Sequence, residues 1–257
     1  MSYFKPGIRR SSRVGYVRGI RGRNYPRRKK APARRYVPRT MGPFSVSESK
    51  YFDSTRAAVA IPEVSAWTGT ELDPSTINTL VCPQEGSDID NRVGRKIQVY
   101  KLAIRGVMEH TALQDQTDII TNPAIRLILY MDEQTNGVQA QGEDLMEATT
   151  GSPQGVFTGF QNKANFGRFR VLRDKIFYPR DVSSMTDGAN TSSQNAVAIP
   201  FKMTVKFRKP VVIKFNATNG GTVGDIVDNS FHLIGCKSGT GFATVLTYTC
   251  RSYYKDH

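Results

Sequence analysis

No acidic residue occurs in this chain before Glu48. Cysteine is scarce: Cys82, Cys236 and Cys250 are three, an odd number, with no CxxC pair. This excludes a disulfide framework and points to free thiols in a reducing compartment. Histidine is as sparse, with His110, His232 and His257 far apart in 257 residues. There is no HxH, no HExxH and no GxxxxGK[ST], so no zinc-hydrolase or nucleotide-cradling motif is encoded. The serine in Gly151-Ser152-Pro153 has no histidine in its sequence context, and nothing resembles a nucleophile elbow. We therefore expect no enzyme, no cofactor and no metal. Long hydrophobic runs are missing too. Leu127 to Met131 spans five residues, against the roughly 20 that a membrane-spanning helix needs. No apolar h-region accompanies the N-terminal charges, so we expect no secretory signal and a soluble, cytosol-made chain.

What is present is positive charge, and it is gathered at one end. Fourteen of the 36 lysines and arginines precede Glu48, and the other 22 are matched by all 22 acidic residues. The net charge of +14 is thus the charge of an N-terminal arm on an electrically balanced body. A balanced body has no general affinity for polyanions; an arm this dense in cations does. Its basic positions are Lys5, Arg9, Arg10, Arg13, Arg18, Arg21, Arg23, Arg27, Arg28, Lys29, Lys30, Arg34, Arg35 and Arg39. Guanidinium forks suit phosphate oxygens, and neutralising phosphates releases counterions. Tyr3, Phe4, Tyr16, Tyr25 and Tyr36 are interleaved with them. Rings on a cationic strand stack on unpaired bases, which favours single-stranded nucleic acid. No base-reading motif is visible, so sequence-blind binding is expected. The arm, residues 1–43, is rich in Gly, Pro and Arg and has no apolar period. It cannot bury enough surface to offset its ordering entropy, which predicts disorder. Arg27, Arg28, Lys29, Lys30, Arg34 and Arg35 also read as a nuclear localisation signal for import receptors. No amphipathic helix pattern flanks the charges, so membrane attachment is not expected.

Residues 44–257 change character, alternating apolar and polar residues between Gly, Pro, Asn and Asp clusters. A domain of this length buries roughly two-thirds of its unfolded surface without staples. Phe201, Met203, Val205 and Phe207 alternate with Lys202, Thr204, Lys206 and Arg208, a half-buried strand that Pro210 is expected to break before Val211, Ile213 and Phe215 resume it. Further strands are predicted over 49–60, 96–109, 124–132, 168–178, 230–237 and 243–254. The apolar phase slips between Val99 and Leu102, which predicts a bulge. Only Gly142 to Thr149 reads as a helix. Eight strands joined by long irregular loops (61–93 and 179–196) indicate an all-β, single jelly-roll sandwich behind a disordered basic arm. His232 and Cys236 share a strand face but make no closed four-ligand zinc site. Asp115, Asp118 and Asp132 have the chemistry to hold a divalent ion between subunits, though loop carboxylates are more often solvated. Trp67, the single tryptophan, is a core residue or an anchor at a subunit contact.

Three segments carry a resemblance. Asn91-Arg92-Val93-Gly94-Arg95-Lys96, leading to Arg105-Gly106, resembles the RxGxK strand start in capsid proteins of small circular Rep-encoding single-stranded DNA viruses. Leu127 to Asp132, followed by Glu133-Gln134-Thr135-Asn136-Gly137, looks like their strand ending in Asp before a polar turn. Phe166-Gly167-Arg168-Phe169-Arg170-Val171-Leu172-Arg173-Asp174-Lys175 is similar to their RFxVLRD segment. The arrangement is most like the geminivirus-like and circovirus-like group, without the metal-finger-like Cys/His group of geminivirus coat proteins. It implies a jelly-roll subunit that self-assembles into a T=1 icosahedral virion, with basic arms inside on a single-stranded DNA genome. It also implies localisation to the virion and the host nucleus. About sixty copies would bring about 840 arm cations, against roughly one charge per nucleotide.

Two other readings use the same residues: a cellular nucleic-acid binder with a basic tail on a β-sandwich, and a lectin-like module with an incidental arm. Binding through the arm should weaken steeply with salt. An affinity for single-stranded oligonucleotide that holds constant across a several-fold salt series contradicts the role given to the arm.

Overall fold

The continuously apolar run Leu127–Met131 and the long alternating segment 197–215 end up in different sheets. The computed structural model describes residues 49–62, 68–69, 79–112, 124–140, 142–147, 159–179, 197–238 and 242–256. Its strands are β1 (Ser49–Ala60), β2 (Thr68–Gly69), β3 (Lys96–Ala112), β4 (Ile125–Asp132), β5 (Phe169–Phe177), β6 (Val197–Phe215), β7 (Ile226–Asp228), β8 (Ser230–Lys237) and β9 (Phe242–Asp256). They form two antiparallel sheets in a sandwich-like arrangement, ordered β1-β9-β3-β6-β7 and β2-β8-β4-β5. The pairings are nested along the chain: β1 with β9, β2 with β8, β3 with β6, β4 with β5.

In the first sheet, inward residues alternate with outward ones. Phe201, Met203 and Val205 of β6 are buried while Lys202 and Lys206 are exposed. Ile104 and Met108 of β3, with Leu246, Tyr248 and Cys250 of β9, join them in a core completed by Leu127, Leu129, Phe231 and Leu233 of the second sheet. Every residue of β4 and β8 is buried. Their other face packs Ile128, Tyr130, Ile234 and Cys236 against Ala140, against Leu145 at the end of the short helix α1 (Gly142–Leu145), and against Met146 just after it. A strand covered on both sides has no reason to alternate, which accounts for the run Leu127–Met131. Each large apolar side chain so buried contributes about 1.5–3 kcal/mol.

Two ion pairs clasp β4 to β5. Arg126 Nε and Nη2 donate to the two oxygens of Asp174 at 3.0 and 2.6 Å, and Nη1 reaches Gly159 O at 3.0 Å. At the other end Arg168 Nε and Nη2 donate to Asp132 at 3.0 and 2.8 Å, and the Gln134 amide also donates to Asp132 at 3.0 Å. The Arg168 guanidinium is held more firmly protonated, chiefly by its hydrogen bond to Asp132. Arg92, near the start of β3, is buried and donates to the carbonyls of Pro83, Gly94 and Thr218, with Phe215 under its guanidinium at 4.5 Å. The family-like segments thus hold charged residues whose partners lie within this fold.

The predicted bulge is present. Against β9 the register of β3 shifts between Val99 and Lys101, leaving Tyr100 as the extra residue, and against β6 the same step sets residues 207–210 opposite Tyr100. Three expectations need correction. Pro210 does not end a strand, because β6 runs on to Phe215 and residues 207–210 lie outside its pairing with β3, where a missing N–H is harmless. The helix stops at Leu145, and Met146 bridges instead to Gln161. Nine strands, not eight, occur among the described residues: the two pieces around Pro210 are one, while the very short β2 and β7 had no readable pattern.

Asp132 is 1% exposed, and its loss leaves Arg168 without its partner. Asp132→Ala is expected to destabilise the fold by about 1.5–3 kcal/mol. Arg251→Ala removes a pair with Asp53 whose side chains are 46% and 34% exposed, so it should cost under about 1 kcal/mol. Urea-denaturation midpoints of the two variants measure the contrast; equal shifts would refute it.

Candidate nucleic-acid interface

All fourteen cations assigned to nucleic acid from the sequence, Lys5 to Arg39, lie outside the described residues, as do the six of the nuclear localisation signal, Trp67, Asp115 and Asp118. The cations that can be described are therefore those of the body. All described residues belong to the unit Phe44–His257. There the total charge is balanced, but its placement is not.

The outward residues of the first sheet fall into rows set by strand register. One row runs Tyr51, Tyr253, Lys101, Lys206; the next Asp53, Arg251, Ala103, Thr204; the third Thr55, Thr249, Arg105, Lys202. Five of these are cations lining an open groove of about 500 Å³, and Asp53 is the one acid in the three rows. Arg251 is clamped by Asp53 at 2.7 and 2.6 Å. Lys101, Arg105, Lys202 and Lys206 form no ion pair among the described residues. Lys101 Nζ lies 4.3 Å from the centre of the Tyr253 ring, and Arg251 lies 4.7 Å from that of Tyr51. Lys206 also borders a second groove with Arg170, Arg173, Arg208 and Lys209. Across it Arg173 Nε and Lys175 Nζ donate to Thr204 O and Lys202 O at 3.3 and 2.9 Å, covering carbonyls on the open edge of β6. Nine cations line the two grooves, and no acidic residue does.

The body's cations are thus gathered on this face although its totals cancel. The signal was in the sequence: the polar phase of 202–208 reads Lys, Thr, Lys, Arg. Summing charge over the whole body concealed it, because charge acts by position on a sheet face.

Other side chains with potential chemistry have structural partners. His232 stacks on Tyr130 at 5.3 Å, and its Nε2 meets Ser230 Oγ at 2.7 Å. Burial pushes the Cys236 thiol up to about 12, so it stays protonated. Asp132 is committed to Arg168 and Gln134, which removes it from the divalent-ion alternative. No cluster of metal-ligating side chains occurs among the described residues.

No protein-family model matches the chain, and no curated protein does. Among solved structures, one from the T13 IBDV viral particle is similar at 10% identity and a TM-score of 0.21, covering 88% of this chain and 44% of that one. The chain spans less than half the length of that protein, and a TM-score this low carries no argument about this one.

His110 is buried, with Nδ1 2.8 Å from Thr244 Oγ1. Burial, and secondarily the Lys237 charge, lower its pKa from 6.5 to about 4. The unfolded chain therefore binds the proton more readily between those values. The stabilisation is complete above the unfolded pKa and is lost as pH falls through the folded one. Urea midpoints should fall between pH 6.5 and 4, and His110→Gln should flatten that slope; an unchanged slope would show that His110 is not its source.

Proposed function

We propose that this chain is a viral capsid protein: a jelly-roll subunit that self-assembles into a small T=1 icosahedral shell and packages single-stranded circular DNA through its arginine-rich arm. The observation that carries the reading is the joining of two features. One is the arm of fourteen cations with no acid before Glu48. The other is the nested strand pairing, β1-β9-β3-β6 and β2-β8-β4-β5, with β7 added at an edge. Two four-stranded sheets wound in this nested order are what a jelly roll requires. A body without net charge also suits tiling, since identical subunits carrying net charge repel at every contact.

The division of labour follows from these parts. The body associates with its own copies, and the arm collects phosphate by counterion release, indifferent to base sequence. Binding and assembly, not catalysis, are its work. The cluster from Arg27 to Arg35 has a second use as the signal that host import receptors take to the nucleus. No described helix is long and apolar enough to cross a membrane.

One observation favours a second reading, a cellular nucleic-acid binder with a basic tail. Such proteins carry cations on the folded surface as well, and the first sheet does. Particle size separates the two: closed shells on the order of 20 nm support the capsid, a monodisperse monomer the binder.

Deletion of residues 1–40 is the direct test. The truncated chain is expected to fold and to form shells with at most a small residue of nucleic acid, a several-fold loss in the ratio of nucleic-acid to protein absorbance. Particles that keep their full genome content after the deletion would overturn the packaging role of the arm.

A further inference from the structure

We propose that the outer face of the β1-β9-β3-β6 sheet, continued into the groove between β5 and β6, is a track for single-stranded nucleic acid on the folded body itself. The inference rests on the nucleic-acid-packaging reading and adds to it a site separate from the arm.

Charge chooses the ligand first. The nine cations of the two grooves have no acidic residue among the groove linings, in a body whose totals cancel. Lys101, Lys202 and Lys206, unpaired by acids among the described residues, cluster where β3 and β6 pair. Neighbouring strands place such side chains about 4.8 Å apart, and alternate residues of one strand about 6.7 Å apart. Like charges held so close repel unless a polyanion lies between them. An extended phosphate backbone supplies anions in a line, where a lone anion would meet one or two of these cations.

The rings choose between strand types. Tyr51 and Tyr253 stand in the same row as Lys101 and Lys206, and Tyr100 lies 6.1 Å from Tyr253. Partly exposed rings among cations on a sheet face offer stacking platforms to unpaired bases. A duplex keeps its bases stacked on each other and is read by elements that enter a groove, which a broad sheet face does not.

A second copy of the chain is the competing occupant, and it fits less well. The large exposed apolar side chains that would suit such a contact, among them Phe160 at 81% and Phe166 at 68%, lie elsewhere. Outward positions of the three rows carry none of them.

The test uses the full chain. Anisotropy of a labelled oligo-dT is followed across a salt series for Lys101→Ala/Lys206→Ala and for an equal-charge control off the face, Arg95→Ala/Lys163→Ala. Single strands give a salt slope of about 0.7 per neutralised phosphate, so the first double variant should lower the slope by about 1.4 and the control should leave it near wild type. Photocrosslinking of a bromouracil-substituted strand to the wild-type chain should label peptides holding Tyr51 or Tyr253. Equal slopes for both double variants, with crosslinks confined to residues 1–48, overturn the track and leave the packaging reading standing. Loss of particles with an unchanged slope also overturns it, by assigning the face to contact between copies. A lowered slope with body crosslinks, in a chain that forms no particles, sustains the track and defeats the capsid reading instead.

Discussion

The two sheets of this protein are not buried alike, and the distribution of everything else depends on that. In the β2-β8-β4-β5 sheet, β4 and β8 have apolar packing on both faces, from the shared core on one side and from Ala140, Leu145 and Met146 on the other. The β1-β9-β3-β6 sheet is buried on one face, and its outward rows are polar. Desolvating a charge costs several kcal/mol unless it is paired. Charges in β4 must therefore find partners, and Arg126 with Asp174 and Asp132 with Arg168 do so. On the open face the same residue types need no partner, and Lys101, Arg105, Lys202 and Lys206 have none among the acids of the described residues.

This separates the charges of the body into two populations that composition treats as one. The first is architectural. Arg92, buried against backbone carbonyls and the Phe215 ring, and Lys50, 3.1 Å from Asp256, secure the approach to β3 and the ends of β1 and β9. The second faces outward and is free to meet a polyanion. The arm adds a third population with no acids among it at all. In the proposed assembly the arm and the sheet face share one ligand, the arm acting through its density of charge and the face through fixed positions.

Much of the architecture was legible beforehand, strand by strand. The bounds 49–60 and 230–237 are those of β1 and β8, and the slip at Tyr100 followed from the phase change between Val99 and Leu102. The first and the last succeed because alternation is a local consequence of one-sided burial, whereas 230–237 is a short apolar-rich segment covered on both faces. Pro210 misled because its breaking effect assumes a strand paired on both sides, and 207–210 lie outside the pairing with β3. Thr68–Gly69 is too short to have a period. Asp132 read as an available loop carboxylate because its partner, Arg168, arrives from 36 residues away.

By itself the sequence determined the class of fold, the run of strands and the cationic arm, since periodicity and charge density are properties of neighbouring residues. Only the tertiary structure decided which charges are spent on partners and which remain on the surface. It did so because register between distant strands, Lys101 opposite Lys206 and Tyr253, turns residues scattered along the chain into one contiguous face.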